Sequence, residues 1–187
     1  MDFKRIWHSL CLTLTLSGRK RAAYVKKHKL FNAMGENCML QIRKLPLHSE
    51  QIRFHNNVRI ASNVTFLTHD VVHNLLNFKY NEQTFYEKKG CIEIMDNVFV
   101  GANSTIMYDV RIGANVVIGA NTVVTKDLPG NAVYAGVPAR YICSFDDLVK
   151  KREAYNLVCA NMDKNIYLDF TDFLWAEFDK AREESAV

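Results

Sequence analysis

The chain has 187 residues, 49% of them hydrophobic and 24% charged, with a formal net charge of +4. That is an ordinary soluble composition with room for one domain and small appendages, and nothing in it calls for a nucleic-acid partner. The five cysteines (Cys11, Cys38, Cys91, Cys143 and Cys159) are scattered with no C-x-x-C pair, which excludes a disulfide framework and a thiolate metal site and fits a reducing, cytoplasmic home.

Residues 1–33 read as a basic N-terminal helical segment. Lys4, Arg5, Arg19, Lys20, Arg21, Lys26, Lys27 and Lys29 stand against Asp2 alone. The apolar stretch Ile6 to Leu16 is short, rich in threonine and followed by Gly18-Arg19-Lys20-Arg21, not by a small-residue cleavage site, so it does not read as a signal peptide. It falls well short of the roughly 20 apolar residues that span a bilayer. A helix packed on the body or lying at a membrane surface is expected, with weak membrane contact through the basic start.

From residue 34 a six-residue period takes over. A looser copy at Met34 to Leu40 is followed by hexads opening on Phe54, Ile60, Phe66, Ile94, Val100, Ile106, Ile112, Ile118 and Val124, large and apolar in nine of nine cases. The fifth position is small, β-branched or aliphatic in eight of nine, Asp70 being the exception. The fourth is Asn or Asp in eight of nine, His69 being the exception. Glycines at the second position (Gly101, Gly113, Gly119) and the Asn/Asp column mark a tight corner that favours positive φ. Each hexad is then a short strand plus a corner. Three make one triangular coil, and stacked coils form parallel sheets around a narrow core. The period of six contradicts an amphipathic helix.

The frame breaks between Phe66 and Ile94, so about residues 72–91 are expected to leave the prism as an extruded loop rich in aromatics, suited to packing on a neighbour or covering a site. The repeats are expected to end after Asp127, with Leu128-Pro129-Gly130 turning the chain out. Residues 143–187 read as a helical extension, one helix starting at Ser144-x-x-Asp147 and a second after Thr171 with Phe173, Leu174, Trp175 and Phe178 on its buried side.

The hexads, Thr68-His69-Asp70, the run Val123 to Pro129 and the run Ala135-Gly136-Val137-Pro138-Ala139-Arg140 together resemble the hexapeptide-repeat acetyltransferases. Within them the chain is most similar to the sugar and capsular-polysaccharide O-acetyltransferases, of the maltose and galactoside acetyltransferase kind. The resemblance covers about residues 34–142. It implies a mainly β chain built on a left-handed parallel β-helix, a homotrimer, acetyl-CoA held in a groove between neighbouring prisms, and a role in polysaccharide biosynthesis.

His69 stands out from the repeat itself, because it and Asp70 break two columns in one hexad, and local rules tend to be broken at functional sites. Transfer of an acetyl group from a thioester to a hydroxyl needs a base for the hydroxyl proton, and a neutral imidazole suits pH 7. His69 is the expected base. Asp70, Phe99 and His48 are candidates for the acceptor site. Asp70 would orient His69 or bind acceptor, although neighbours on an extended strand point to opposite faces. Phe99 would flank the channel or serve as a spacer. The resemblance further implies a corner amide near Gly101 as oxyanion donor. For coenzyme A it implies contacts from Gly101, Ala102, Gly119, Ala120, Lys126 and Arg140, the cations meeting phosphate. No metal is expected. The alternatives are an N-acetyltransferase of a nucleotide-linked amino sugar, an antibiotic acetyltransferase and, more distantly, a zinc lyase resembling γ-carbonic anhydrase that would draw on His48, His55, His69 and His73.

Overall fold

A computed structural model describes residues 3–81, 83–160 and 169–185. Glu82 of the expected excursion and residues 161–168 of the expected C-terminal extension lie outside the described residues. The chain forms two compact units that divide between Leu148 and Val149.

The first unit begins with helices α1 (Phe3–Leu14) and α2 (Gly18–Lys27). The short strands β1 (Ala33–Met34), β2 (Met39–Leu40), β3 (Ile52–Phe54), β4 (Arg59–Ile60) and β5 (Thr65–Phe66) follow. After helix α3 (Val72–Tyr80) come β6 (Ile92–Ile94), β7 (Val98–Val100), β8 (Thr105–Ile106), β9 (Val110–Ile112), β10 (Val116–Ile118), β11 (Val123–Val124), β12 (Ala132–Ala135) and β13 (Arg140–Ser144). They stack into three faces of a prism. The first holds β1, β3, β6 and β9; the second β2, β4, β7, β10, β12 and β13; the third β5, β8 and β11. All neighbours are parallel except β13, which turns back antiparallel on β12.

The hexad frame explains this packing. All nine first-position residues are buried, Ile60, Ile94, Val100, Ile106, Ile112, Ile118 and Val124 completely, and they fill the interior with the fifth-position column. The two buried hydroxyl members of that column are satisfied: Ser104 Oγ donates to Gly119 O at 3.1 Å and Thr122 Oγ1 to the same oxygen at 2.8 Å. Phe31, Phe54 and Phe66 stack edge to face inside the first coils. Burying each Ile or Val of this core is worth about 1.5–3 kcal/mol, which gives two- and three-residue strands their stability.

The corner columns divide their roles differently from the expectation. Positive φ is taken by the fourth position, at Asn57, Asn63, Asn97, Asn103, Asp109, Asn115 and Asn121, and also by Asn37 and Asn131 outside the nine hexads. The second-position glycines do not take it; Gly136 is the positive-φ glycine among the described residues. Their reason is close approach. A Cβ on Gly101 would lie 2.5 Å from Ala120 N, and one on Gly113 2.5 Å from Gly130 N, so the next coil's backbone occupies the space. On the edge between the first and second faces the asparagines join in a ladder. Asn37 Nδ2 donates to Asn57 Oδ1, Asn57 to Asn97, Asn97 to Asn115 and Asn115 to Asn131, at 2.8–3.1 Å.

The prism also continues beyond its expected end. Leu128 bridges Ile112, Asn131 forms another left-handed corner, and β12 pairs with β10. Proline and glycine at 129 and 130 hide the period without stopping the coil. The excursion is likewise more than a loop, since α3 occupies its first half. At the N-terminus the guanidinium of Arg21, only 1% exposed, ties α2 to the prism. Its Nε donates to Leu40 O at 2.8 Å, and its terminal nitrogens to Thr15 O and Gln41 Oε1.

The expected helix start at Ser144 is present. Ser144 Oγ accepts from Asp147 N at 3.0 Å ahead of α4 (Phe145–Ala160). In the second unit α5 (Asp169–Ser185) begins before Thr171, and Leu174, Trp175 and Phe178 are exposed, not buried. They form an aromatic stripe of their own, with Trp175 edge-on to Phe178 and Arg182 over the Phe178 ring. Helices carry more of the described residues than strands do, so the chain is β in its core rather than throughout.

The first face carries a charge ladder across its strands. Glu93 accepts from His55 Nε2 at 3.0 Å, from Arg53 at 3.1 Å and from Arg111 Nε at 2.7 Å. The His55 hydrogen bond first, then those of Arg111 and Arg53, hold its carboxyl down to about 2. Against an unfolded value near 4.3, a depressed native value means stability that is complete above about pH 4.5 and lost as pH falls toward 2. We expect Glu93→Gln to abolish about 1.5–2 kcal/mol of that acid-limb loss, read from urea midpoints between pH 7 and pH 3.

Candidate active site

The edge between the third and first faces carries positions 67–70, 107–109 and 125–127, in register through the β5–β8–β11 pairing. Here the chain leaves the prism after Thr68. Residues 88–90 come back antiparallel against 68–70: Asp70 N donates to Lys88 O at 3.1 Å, Gly90 N to Thr68 O at 2.9 Å, and His69 bridges Lys89. His69 is therefore not a left-handed corner, which removes the demand for Asn or Asp at its position. Its departure from the column has a structural cause as well as whatever chemical one it has.

The His69 ring is half-buried, and its Nδ1 is shielded from solvent without a hydrogen-bond partner. The ring of His48 stands perpendicular to it with centroids 5.1 Å apart. His48 is placed by a left-handed backbone (φ 52°) and by Thr68 Oγ1, buried under the site, donating to Leu47 O at 2.8 Å. The returning limb adds Glu87, paired with Lys89 at 2.8 Å. Lys89 holds the Glu87 carboxyl below its ordinary range, with weaker electrostatic contributions from His69 and His48. Composition and spacing did not point to Glu87, because its approach to His69 depends on how the excursion folds back.

Asp70 does not hydrogen-bond His69. Its Oδ2 accepts from Tyr108 OH at 2.6 Å and its Oδ1 from Val72 N, the first residue of α3, at 3.0 Å. Tyr108 first, then the Val72 amide, lower its pKa. The same bond raises that of Tyr108. Lys88 completes the strap, 2.6 Å from Asp109 Oδ2 and over the Tyr108 ring. Asp70 thus fastens the root of the excursion. Tyr108 was missed in the sequence; an aromatic at an outward hexad position was the available signal.

The coenzyme candidates do not gather at this edge. Gly101, Ala102, Gly119 and Ala120 lie on the edge between the second and third faces, one whole face away from His69. Gly101 is buried under the next coil and its N donates to Ile118 O at 2.8 Å, so neither its missing side chain nor its amide is open to a ligand. Lys126 is exposed on the His69 edge, two coils further along. Arg140 is exposed where β13 pairs with Ala135. Phe99 lies half-exposed in the middle of the second face, between Arg59 and Val117.

Of the histidines weighed for zinc, His55 is engaged by Glu93 on the first face, and His73 sits in α3 with its Nδ1 buried and unpartnered. Among the described residues no group of three His, Cys, Asp or Glu is arranged to hold a metal ion.

Comparison with known proteins adds four findings. Residues 92–126 match the family described as bacterial transferase hexapeptide (six repeats). Protein CapG of Staphylococcus aureus is 37% identical over 149 residues, covering 76% of this chain and 85% of CapG. The galactoside O-acetyltransferase of Escherichia coli (strain K12) is 44% identical over 93 residues, which are 49% of this chain and 43% of that enzyme, so the chain spans less than half of its length. Among solved structures, a galactoside acetyltransferase in complex with coenzyme A aligns with a TM-score of 0.52 at 26% identity, over 80% of this chain and 88% of the other.

Proposed function

The chain belongs to the hexapeptide-repeat transferase family, and from that premise we propose that it is an acetyl-CoA-dependent O-acetyltransferase acting on a hydroxyl of a sugar or polysaccharide unit. The observation that carries the reading is His69, a half-buried imidazole at a prism edge with the His48 ring perpendicular to it and one ring nitrogen sealed from water. With Nδ1 sealed, Nε2 is the nitrogen left to meet a substrate. It takes the acceptor's hydroxyl proton as the oxygen attacks the thioester carbonyl. The tetrahedral intermediate collapses by breaking the C–S bond, and the imidazolium returns its proton to the departing thiolate. The products are an O-acetyl ester and free coenzyme A.

Two features support an assembly of three copies around left-handed prisms. The small residues that suit a pantetheine arm and the base occupy different edges of one chain, so a second copy is needed to bring one edge against the other. Exposed Leu75, Phe78 and Tyr86 on the excursion supply apolar surface for that contact. Because Gly101 N is committed, the Ala102 amide is our choice for the oxyanion donor, Ala120 its neighbour on the next coil, and Lys126 and Arg140 meet the coenzyme phosphates. The described cysteines Cys11, Cys38, Cys91 and Cys143 are free, in keeping with a cytoplasmic enzyme.

The test is thiol release from acetyl-CoA with a panel of galactosides, oligosaccharides, amino sugars and chloramphenicol-like alcohols, followed by mass spectrometry of the product. A sugar O-acetyl ester is the expected result. Acetylation confined to amines would transfer the reading to the N-acetyltransferases, and silence across the panel would sink it.

A further inference from the structure

We propose that α1 docks flat on an anionic lipid surface through its outward face. This inference goes beyond the acetyl-transfer reading and does not depend on it.

One side of α1 is fastened to the body. Leu12 is fully buried, Ser9 Oγ accepts from Leu45 N at 3.0 Å, and His8 Nδ1 lies 2.8 Å from Tyr24 OH. The other side presents Phe3, Ile6, Trp7, Leu10 and Leu14, spaced three and four apart so that they form one stripe. All five are exposed, from 40% at Ile6 to 81% at Phe3, with Trp7 at 56%. Such a stripe in contact with water is costly unless something covers it.

Charge decides what covers it. Residues 1–35 hold eight Lys and Arg against Asp2 alone, all but the buried Arg21 at the surface or partly exposed. Lys4 lies beside the stripe on the helix itself. Arg43 donates to Thr13 O at 2.8 Å and so lies against the helix near its C-terminal end, with Lys44 next in sequence. Contact with a second copy through this face would bring the Lys4, Arg43 and Lys44 cations of one copy toward those of the other. An anionic bilayer offers depth for the aromatics and negative headgroups for the cations, each worth about 1 kcal/mol near such a surface. Trp7 suits the headgroup boundary. Twelve residues make a helix of about 18 Å, too short to cross a hydrocarbon core of about 30 Å, and no helix of the described residues is long and apolar enough to span a membrane. Docking in the plane of the surface is what remains.

The full chain should float with phosphatidylglycerol-containing vesicles at moderate ionic strength and remain behind with pure phosphatidylcholine. In a Trp175→Phe background, the Trp7 emission should shift to the blue on binding. Trp7→Ser with Leu10→Ser should weaken partitioning by at least about tenfold, with an unchanged melting temperature. Lys4→Gln with Lys44→Gln should weaken it several-fold and flatten its salt dependence. Failure of the wild type to bind anionic vesicles overturns the proposal. So does a finding that Trp7→Ser and Leu10→Ser alter the oligomeric state by light scattering, because that gives the face to a second copy.

Discussion

His69→Ala is expected to lower the rate of acetyl transfer by about 10²–10⁴ while leaving the fold intact. A general base contributes through the proton it removes as the new bond forms, so the loss should fall on kcat and leave the KM for acetyl-CoA near its wild-type value. The ring sits where the chain has already left the prism, at a corner that does not need the left-handed backbone, so alanine there keeps the backbone pairing with Lys89 and loses only the edge contact with the His48 ring. Unchanged thermal melting alongside the lost rate is part of the expectation. A variant turning over at the wild-type rate would refute the assignment of the base. If both rate and melting fell together, His69 would be a structural residue.

Gly101→Ala should destabilise the fold by about 2–4 kcal/mol, and Gly119→Ala by much less. The two glycines occupy the same column, one coil apart. On Gly101 the added Cβ would lie 2.5–2.8 Å from three backbone atoms of Gly119 and Ala120, and backbone does not yield without moving a coil. On Gly119 the nearest atom is the Ala135 Cβ at 3.0 Å, with the next at 3.6 Å, so a shift of a few tenths of an ångström in β12 accommodates it. Urea denaturation of the two variants distinguishes this account from one based on φ, since neither glycine takes a positive value. Equal losses at both sites would favour some other constraint.

Much of the prism was legible in the sequence because its physics is local. A strand of two or three residues with an apolar inward side at each end, followed by an asparagine corner, writes the same six letters at every turn. The period failed where a different interaction set the residue. Pro129-Gly130 hid the last coil, although the Asn131 corner and β12 continue it. The glycine column was legible as tightness but not as its cause, because spacing does not distinguish a positive φ from a neighbouring backbone. His69 and Asp70 stand out in the sequence as a double break, and the break records the start of the excursion, with Asp70 tied to Tyr108 and to α3. His48 appeared beside His69 only after Thr68 had fixed the 45–48 segment. Glu87 depended on how the excursion folds back, which no period encodes. The Trp175 stripe obeyed helical spacing, but spacing names a face and not what lies against it.

The point at which the excursion departs has one more consequence. It leaves and rejoins at the His69 edge, while on another edge the asparagine side chains hand on their hydrogen bonds without interruption, Asn57 to Asn97 across an offset of 40 residues as readily as Asn97 to Asn115 across 18. The frame therefore counts coils and not residues. Length added at one corner goes unnoticed at the others, so segments of different size and chemistry can be exchanged beside His69 while the scaffold stays as it is. That separates the part of the molecule free to change its substrate from the part that must remain constant to stand.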